Sequence, residues 1–331
     1  MSQVKALVLF SGGLDSILAA RTLLEQNIKV TALCFESNFY DAKKAKESAK
    51  ELGIDLRVVD IRERMLDLVK NPPNGYGKNM NPCIDCHSMM FELAVEIMRK
   101  DSFDILASGE VLGQRPFSQN KDALLKIQNL VGIDILRPLS AKLLPETSYE
   151  KEMLVNRGRL HRISGRTREG QGELIKKYNI KKYPSPAGGC LLTDPDFSSR
   201  IMDLLDNWPE SNIKDVEILK NGRVFWFDCG EAKKALAIVG RNHEENEKLK
   251  SLSHSGDIIL ELKDINGPTS LLRGLNLKIE KDLKILTPKI FREIEMSVFD
   301  KNSIIKTLAN ITAFYAVKAR GKEVFVHIKS I

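Results

Sequence analysis

Residues 5–16 have the sequence KALVLFSGGLDS, in which an apolar run passes directly into Ser11-Gly12-Gly13-Leu14-Asp15-Ser16. The run from Lys5 to Phe10 is apolar and partly β-branched, which is typical of a buried parallel strand. A helical pattern from about Ser16 to Gln26 follows, so the glycines stand at a strand-to-helix turn. Outward N–H groups and the helix dipole favour a bound anion at such a turn.

Each residue type in this turn suits a phosphate group. Gly12 and Gly13 allow the backbone to approach a phosphate with no side chain in between. The hydroxyls of Ser11 and Ser16 can donate hydrogen bonds to phosphate oxygens. Asp15 does not suit a pure anion site, and it indicates a Mg²⁺ ion that bridges the carboxylate to the phosphates. The alternative is an ordinary glycine turn capped by serine or aspartate.

Strand and helix patterns alternate through the first half of the chain, which predicts an α/β fold with a doubly wound parallel sheet. The further predicted strands are Lys29–Phe35, Asp55–Asp60, Asp104–Ala107 and Asp134–Leu136, and the further predicted helices are Asp41–Leu52 and His87–Arg99. The segment from Asn71 to Cys86 is rich in Pro, Gly and Asn, and its composition predicts a loop.

The pattern changes to short strands from about Asp215, which predicts a separate, smaller α+β domain. The strands predicted there are Arg223–Asp228, Ala235–Val239, Asp257–Leu262 and Lys322–Ile328. We therefore expect three regions: an ATP-binding domain over 1–145, a basic, RNA-contacting region with the catalytic loop over 146–210, and an α+β domain over 211–331.

The chain has 331 residues, 43% hydrophobic content and a formal net charge of +7, with a sequence pI near 9.0. These values are typical of an ordinary globular protein of more than one domain. No apolar run is long enough to span a bilayer, and no signal-peptide pattern precedes the first strand, so we expect a cytoplasmic protein with no membrane partner. The positive charge indicates either a polyanionic partner or simply a basic surface.

Five cysteines are present, Cys34, Cys83, Cys86, Cys190 and Cys229. An odd number in a cytosolic protein argues against a disulfide framework. Cys83 and Cys86 form a CxxC pair, and Cys190 follows a flexible Pro-Ala-Gly-Gly approach. Three thiolates with no evident fourth fit either a [4Fe-4S] cluster with one open iron or two catalytic thiols with a bystander. The plainer alternative is a buried Cys190 beside an incidental CxxC, and we interpret Cys34 as a small buried hydrophobe and Cys229 as structural.

The hexapeptide Ser11 to Ser16 resembles the pyrophosphate loop, SGGxDS, of the adenine nucleotide α-hydrolase superfamily. The resemblance implies that ATP is cleaved between its α and β phosphates and that AMP is attached to a carbonyl oxygen. It also implies that Phe35, at the end of the second predicted strand, and Ser108-Gly109 flank the adenosine. Ligands of doubly wound sheets lie beyond the carboxyl ends of the strands, which agrees with these assignments.

The first 200 or so residues resemble the tRNA thiouridine synthetases, and in particular the 2-thiouridylase family MnmA. The resemblance is carried by the early pyrophosphate loop, the loop Asn81-Pro82-Cys83-Ile84-Asp85-Cys86, the segment Arg137–Lys142 and the late Gly188-Gly189-Cys190. It implies that Cys86 and Cys190 perform the sulfur chemistry. The extra Cys83 departs from that family and is similar to iron–sulfur-dependent, ThiI-type enzymes, in which Cys83, Cys86 and Cys190 would hold a [4Fe-4S] cluster.

A tRNA partner is also expected from a basic, glycine-interrupted stretch ahead of Cys190. The residues predicted to contact RNA phosphates are Arg157, Arg159, Arg162, Arg166, Arg168, Lys181 and Lys182. Such contacts position an RNA without reading its sequence, and the target uridine must then be exposed or flipped. The C-terminal region resembles the RNA-binding segment of NFACT proteins.

These features together predict ATP-dependent thiolation of a tRNA uridine, with 2-thiouridine favoured over 4-thiouridine. The expected further partners are a sulfur donor, either free sulfide or a sulfur carrier or cysteine desulfurase, and a second copy in a homodimer. One rival mechanism uses Cys86 and Cys190 as a persulfide pair. A rival enzyme class is a ligase or amidating enzyme that acts on a small molecule, and a non-enzymatic rival is an RNA-binding module with a degenerate nucleotide site.

Overall fold

A computed structural model of the chain describes residues 3–115, 118–183, 189–230 and 233–331. The chain divides into two compact units, Met1–Pro195 and Asp196–Ile331. The division into three functional regions stays a prediction. No helix in the described ranges is long and apolar enough to cross a membrane.

The first unit is built on a four-stranded parallel sheet with the strand order β3-β2-β1-β4. The strands are β1 (Lys5–Leu9), β2 (Lys29–Glu36), β3 (Asp55–Asp60) and β4 (Ile105–Ser108). In β1 the fully buried Ala6 and Val8 join one core cluster, whereas Leu7 joins another. Because neighbouring strand residues point to opposite faces, both faces of the sheet are covered.

Helices cover both faces of this sheet. They are α1 (Leu14–Leu24), α2 (Lys43–Leu52), α3 (Arg62–Lys70), α4 (Cys83–Lys100), α5 (Lys121–Val131), α6 (Ser148–Lys151) and α7 (Glu169–Lys177). Ile17 of α1 and Ala45 of α2 pack in the cluster of Ala6 and Val8. Phe91 of α4 and Ile127 of α5 pack in the cluster of Leu7. The predicted doubly wound α/β fold is confirmed.

The carboxyl ends of β1, β2 and β4 meet at one edge of this sheet, which we call the carboxyl edge. The glycine turn follows β1, a buried turn over Ser37–Tyr40 follows β2, and Gly109 follows β4. β2, the next strand along the chain, lies on one side of β1, and β4 lies on its other side. This is a topological switch point, where open α/β sheets bind ligands.

Two local predictions are wrong. The segment ending at Cys86 is not loop throughout, because α4 begins at Cys83, directly after Pro82. A helix can begin there since the cysteines and Asp85 tolerate helical backbone and proline stands ahead of the first turn. Asp134–Leu136 forms no full strand, because only Leu136 makes a parallel bridge, to Ala107. Residues 184–188, which contain the predicted flexible approach to Cys190, lie outside the described residues.

The second unit contains a six-stranded antiparallel sheet with the strand order β5-β6-β8-β7-β10-β9. The strands are β5 (Arg223–Asp228), β6 (Lys234–Val239), β7 (Ile258–Leu262), β8 (Ser270–Arg273), β9 (Glu280–Leu286) and β10 (Glu323–Ser330), and the helices are α8 (Pro195–Asn207), α9 (Ile213–Ile218), α10 (His243–Leu252) and α11 (Lys301–Tyr315). Ile304 and Leu308 of α11 pack against Leu260 and Val326 of the sheet. The predicted α+β C-terminal domain is confirmed.

Candidate active site at the carboxyl edge

The glycine turn after β1 requires glycine at position 12. Gly12 has a φ of +74°, and a Cβ atom there would lie 2.4 Å from the carbonyl carbon and oxygen of Lys44 at the start of α2. Gly13 is the N-cap of α1, and in the described ranges no side chain caps this helix. The first-turn N–H groups of α1 therefore remain available to an anion such as a phosphate.

Serine and glycine neighbours complete this turn. Ser16 Oγ donates to the Gly13 carbonyl at 2.8 Å, and Ser11 Oγ lies 3.4 Å from the Gly13 N–H. Gly109 is pressed against the same helix start, because a Cβ atom there would lie 2.6 Å from the Ser16 backbone nitrogen. The structure thus brings the predicted Ser108-Gly109 segment to the pyrophosphate-loop residues.

The end of β2 and the start of α2 border a surface cleft of about 380 Å³. The cleft is lined by Glu36, Asp41, Ala42, Lys43, Lys46 and Glu47. Phe35, which the sequence assigned to the adenosine, has a side chain that is buried in the core with Leu7 and Leu33.

Two glutamine amides hold the carboxylate of Asp15. Gln114 Nε2 donates to Asp15 Oδ2 at 2.8 Å, and Gln171 Nε2 donates to Asp15 Oδ1 at 3.2 Å. Gln114 belongs to the loop after β4, whereas Gln171 belongs to α7. Amide donors on both oxygens fix the direction of the carboxylate and leave lone pairs for a cation, which is how residues behind a metal ligand orient it.

The thiols of Cys83, Cys86 and Cys190 lie within electrostatic range of one another. Burial, together with smaller contributions from Cys190 and Cys83, raises the pKa of Cys86 to about 12, although the Tyr40 hydroxyl lowers it. Burial likewise raises the pKa of Cys190 to about 11, to which Cys83 contributes, while Arg115 lowers it. Asn81 Nδ2 donates to Cys83 Sγ at 3.1 Å. Within the described residues, no three His, Cys, Asp or Glu side chains are arranged as a metal-ligand set.

The buried turn over Ser37–Tyr40 joins the two cysteine segments. The Tyr40 hydroxyl lies 3.7 Å from Cys86 Sγ and 3.8 Å from Met90 Sδ. On the other side, the Phe39 carbonyl accepts a hydrogen bond from the Leu191 N–H at 2.9 Å. Burial, Cys86 and Cys190 all raise the pKa of Tyr40, so its hydroxyl keeps its proton and can donate to sulfur. No local sequence pattern points to Tyr40, because its neighbours in space are distant along the chain.

A buried ion network ties the cysteine helix to the segment after β4. Glu110 Oε1 accepts from His87 Nδ1 at 2.9 Å, and Glu110 Oε2 accepts from Arg137 Nε at 3.0 Å. Burial alone would raise the pKa of Glu110, but Arg137 and His87 lower it to about 2. His87, interpreted from sequence as a polar helix-start residue, is therefore a fixed contact between α4 and the nucleotide edge. Glu110 was missed, although a polar residue just after a parallel strand is a usual signal of a site.

Glu110→Gln is expected to lower the free energy of unfolding by about 3 kcal/mol at pH 7, because Arg137 is left buried without a counter-charge. The folded pKa of Glu110 lies below its ordinary value of 4.5. Its stabilising contribution is therefore complete above about pH 4.5 and is lost as the pH falls towards 2. Urea unfolding as a function of pH measures both effects, and the variant should lack this acid-dependent loss.

The matched control for Glu110→Gln is Asp60→Asn, which removes one partner of the exposed Asp60–Arg62 ion pair. An exposed pair contributes at most about 1 kcal/mol, so this change should be small. Equal losses in the two variants would contradict the role assigned to the buried network.

The basic stretch ahead of Cys190 splits into two groups. Arg157 pairs with Glu150 and donates to the Leu144 carbonyl, and Arg159 donates to the Glu25 carbonyl at 3.4 Å. By contrast, Arg162, Arg166, Arg168, Lys181 and Lys182 make no recorded ion pair or hydrogen bond from their side chains within the described ranges, and four of these, all but the half-buried Arg168, are exposed. The second group is thus the part of the stretch that is free to meet an anionic surface.

The fold and the glycine turn resemble those of a pyrophosphate-loop nucleotide-binding domain. Residues 1–143 match the family model described as "Thiamine biosynthesis protein (ThiI)". This match and the relatives below confirm the resemblance to tRNA thiolation enzymes for the N-terminal part of the chain.

Among the relatives is "tRNA-specific 2-thiouridylase MnmA" of Treponema denticola, which is 31% identical over 173 residues, covering 45% of this chain and 47% of the relative. Another is a "Probable tRNA sulfurtransferase" of Thermoanaerobacter sp. (strain X514), 31% identical over 144 residues, covering 41% of this chain and 36% of the relative. The chain thus spans less than half the length of these relatives. Among solved structures, a 4-thiouridine synthetase–RNA complex with bound ATP is 20% identical to this chain and has a TM-score of 0.37. The match covers 66% of this chain and 52% of the solved chain.

Proposed function

We propose that this protein is an ATP-dependent tRNA sulfurtransferase that converts a uridine to a thiouridine, with 2-thiouridine favoured over 4-thiouridine. The observation that carries the proposal is the turn over Ser37–Tyr40, which lies at the same sheet edge as the pyrophosphate loop and contacts both cysteine segments. Its Tyr40 hydroxyl lies 3.7 Å from Cys86 Sγ, and its Phe39 carbonyl accepts from the N–H of Leu191, the neighbour of Cys190. The residues after β4 support the proposal, because Gln114 bonds Asp15 while the neighbouring Arg115 lowers the pKa of Cys190, which burial raises.

In the proposed reaction the uracil carbonyl oxygen attacks the α-phosphate of ATP, and pyrophosphate leaves. A sulfur nucleophile then attacks the ring carbon that carries the adenylated oxygen, and AMP leaves with that oxygen. Gly12, Gly13 and the hydroxyls of Ser11 and Ser16 would hold the phosphates, and Asp15 would hold a Mg²⁺ ion, which would supply positive charge to offset theirs. Phe35, Ser108 and Gly109 border the adenosine.

For the sulfur step we propose that Cys83, Cys86 and Cys190 hold a [4Fe-4S] cluster. Three free cysteines that influence one another electrostatically, and an Asn81 amide N–H that already donates to Cys83 Sγ, support this proposal. When bound, such a cluster would supply an open iron that presents sulfide to the activated uridine. The alternative is a persulfide on Cys86 or Cys190. Anaerobic purification separates the two, because a colourless, iron-free protein that still thiolates tRNA excludes the cluster.

We further propose the functional regions 1–145, 146–210 and 211–331, with the second contacting tRNA and the last resembling the RNA-binding segment of NFACT proteins. The sulfur donor would be free sulfide, a sulfur carrier or a cysteine desulfurase. A cytoplasmic location, the absence of a membrane partner and a homodimer complete the proposal.

The double variant Arg162→Ala/Arg166→Ala is expected to weaken tRNA binding and to flatten its salt dependence. Each lost phosphate contact lowers the slope of log K against log salt by about 0.7–0.9. Filter binding between low and physiological salt measures the slope.

The control for this double variant is Arg99→Ala/Lys100→Ala, which removes two exposed charges at the end of α4 remote from the carboxyl edge. It should leave the slope unchanged. Identical slopes in both double variants and in the wild type would argue against RNA contact by the basic stretch.

The proposed function is tested by mass spectrometry of tRNA nucleosides from cells that lack the gene, together with the purified protein incubated anaerobically with ATP, sulfide and tRNA. We expect one thiolated uridine to disappear from the cells and to be formed by the protein with release of AMP and pyrophosphate. If every thiolated uridine persists and the protein releases pyrophosphate without RNA, a small-molecule ligase is the better assignment.

A further inference from the structure

Helix α7 lies along helix α1 and is bonded to it at both ends. At the start of the two helices Gln171 bonds Asp15, and at their far ends Lys177 and Tyr178 bond Glu25 at 2.8 and 3.0 Å. Between these contacts, Leu174 packs with residues of α1 in a small buried cluster. The two helices therefore run parallel, and α7 cannot shift without disturbing the helix that carries the pyrophosphate-loop aspartate.

Gln171 is an unusual residue for this contact. It is completely buried, and its Nε2 lies 3.2 Å from Asp15 Oδ1 and 3.4 Å from Gln114 Oε1. Its carbonyl oxygen, Oε1, is buried and has no hydrogen-bond donor among the described residues. A buried acceptor without a donor is unfavourable, so a donor supplied by a ligand would be bound favourably there.

Gln171 links two proposed ligand sites, because it contacts Asp15 and because its helix, α7, follows the basic stretch. A hydrated Mg²⁺ ion at Asp15 brings water O–H donors beside the amide, and these can satisfy Oε1. Directly before α7 lies the basic stretch with the free Arg162, Arg166 and Arg168. A donor at Oε1 would add a further bond to α7, whose first turn directly follows the backbone that carries these arginines.

We propose that Gln171 is a positioning residue that couples the two substrates: ATP·Mg²⁺ bound at Asp15 raises the affinity of the basic stretch for RNA, and RNA raises the affinity for ATP by the same factor. This inference rests on the proposed function, because it takes ATP and an RNA as the ligands. Reciprocity follows from thermodynamic linkage between two binding sites.

The test measures a binding cycle with the full chain. Dissociation constants for tRNA are determined with and without Mg²⁺ and the uncleavable α,β-methylene ATP, and those for the analogue with and without tRNA. In the wild type we expect each ligand to tighten the other about five-fold or more. In Gln171→Met, which keeps the shape but lacks the amide, the factor should fall below about two while both ligands still bind.

Tyr178→Phe is the matched control, because it removes hydrogen bonds from the other end of α7 to Glu25 and Thr22 without touching Asp15. It should keep the wild-type coupling factor. If Gln171→Met does not fold, Gln171→Asn retains an amide but is too short to reach Asp15, and the same loss is expected.

A wild type that binds both ligands independently, or a Gln171 variant with unchanged coupling, would overturn the inference and leave the proposed function standing. A wild type that binds the nucleotide analogue but no tRNA would overturn the proposed function, and the coupling with it.

Discussion

Gly12→Ala is expected to lower the affinity for ATP by at least about 100-fold, equivalent to roughly 2.7 kcal/mol. A Cβ atom at this position would lie 2.4 Å from backbone atoms of Lys44, and the φ of +74° disfavours any L side chain. Backbone cannot yield as a flexible side chain can, so the turn must move away from α2 and the phosphate-binding N–H groups with it. Titration of the purified protein with a fluorescent ATP analogue measures the loss.

The control is Gly53→Ala, because Gly53 has a similar φ of +65° but no atom within 4 Å of an added Cβ. Gly53→Ala should cost about 1–2 kcal/mol of stability through backbone strain, without a collision between the added Cβ and neighbouring backbone. Its ATP affinity should stay within about two-fold of the wild type. An unchanged affinity in Gly12→Ala would mean that this turn does not hold the nucleotide.

Local sequence patterns predicted the parallel sheet well because its central strands are buried on both faces. The runs in β1 and β2 are mostly apolar and buried, whereas the exposed edge strand β3 is marked by Gly53 before it and a helix after it. The edge strand β9, by contrast, has the sequence EKDLKIL, in which only Ile285 is buried. Its structure comes from pairing with β10 and not from a local preference, so no window of the sequence predicted it.

The residues of the candidate site also divide into those that a local sequence pattern predicts and those that it does not. The pyrophosphate loop is one continuous turn, and its residues can be recognised because the requirement for glycine is local. Gln114, Gln171 and Tyr40 act on Asp15 or Cys86 across long chain separations, and a lone glutamine or tyrosine has no pattern. Only Cys190 was foreseeable at a distance, because a thiol after a glycine-rich approach suggests a partner elsewhere.

Cys190→Ser is expected to abolish thiouridine formation while ATP binding stays within about three-fold of the wild type. A serine hydroxyl neither carries a transferable sulfur nor binds iron as a thiolate does, so the loss should hold for a cluster and for a persulfide. The substitution is nearly isosteric, and the anchoring Leu191 N–H to Phe39 carbonyl bond involves backbone alone. Quantification of thiouridine by mass spectrometry and of iron after anaerobic purification measures the effect.

Cys229→Ser is the matched control, because Cys229 is a partly buried free thiol of the second unit that packs against its core. It should retain the wild-type rate of thiolation and any iron. If Cys190→Ser lost activity but kept a wild-type iron content, Cys190 would carry the sulfur and would not be a cluster ligand. If both serine variants kept activity, neither thiol would take part, and the meeting of Cys190 with the CxxC helix would be a matter of packing alone.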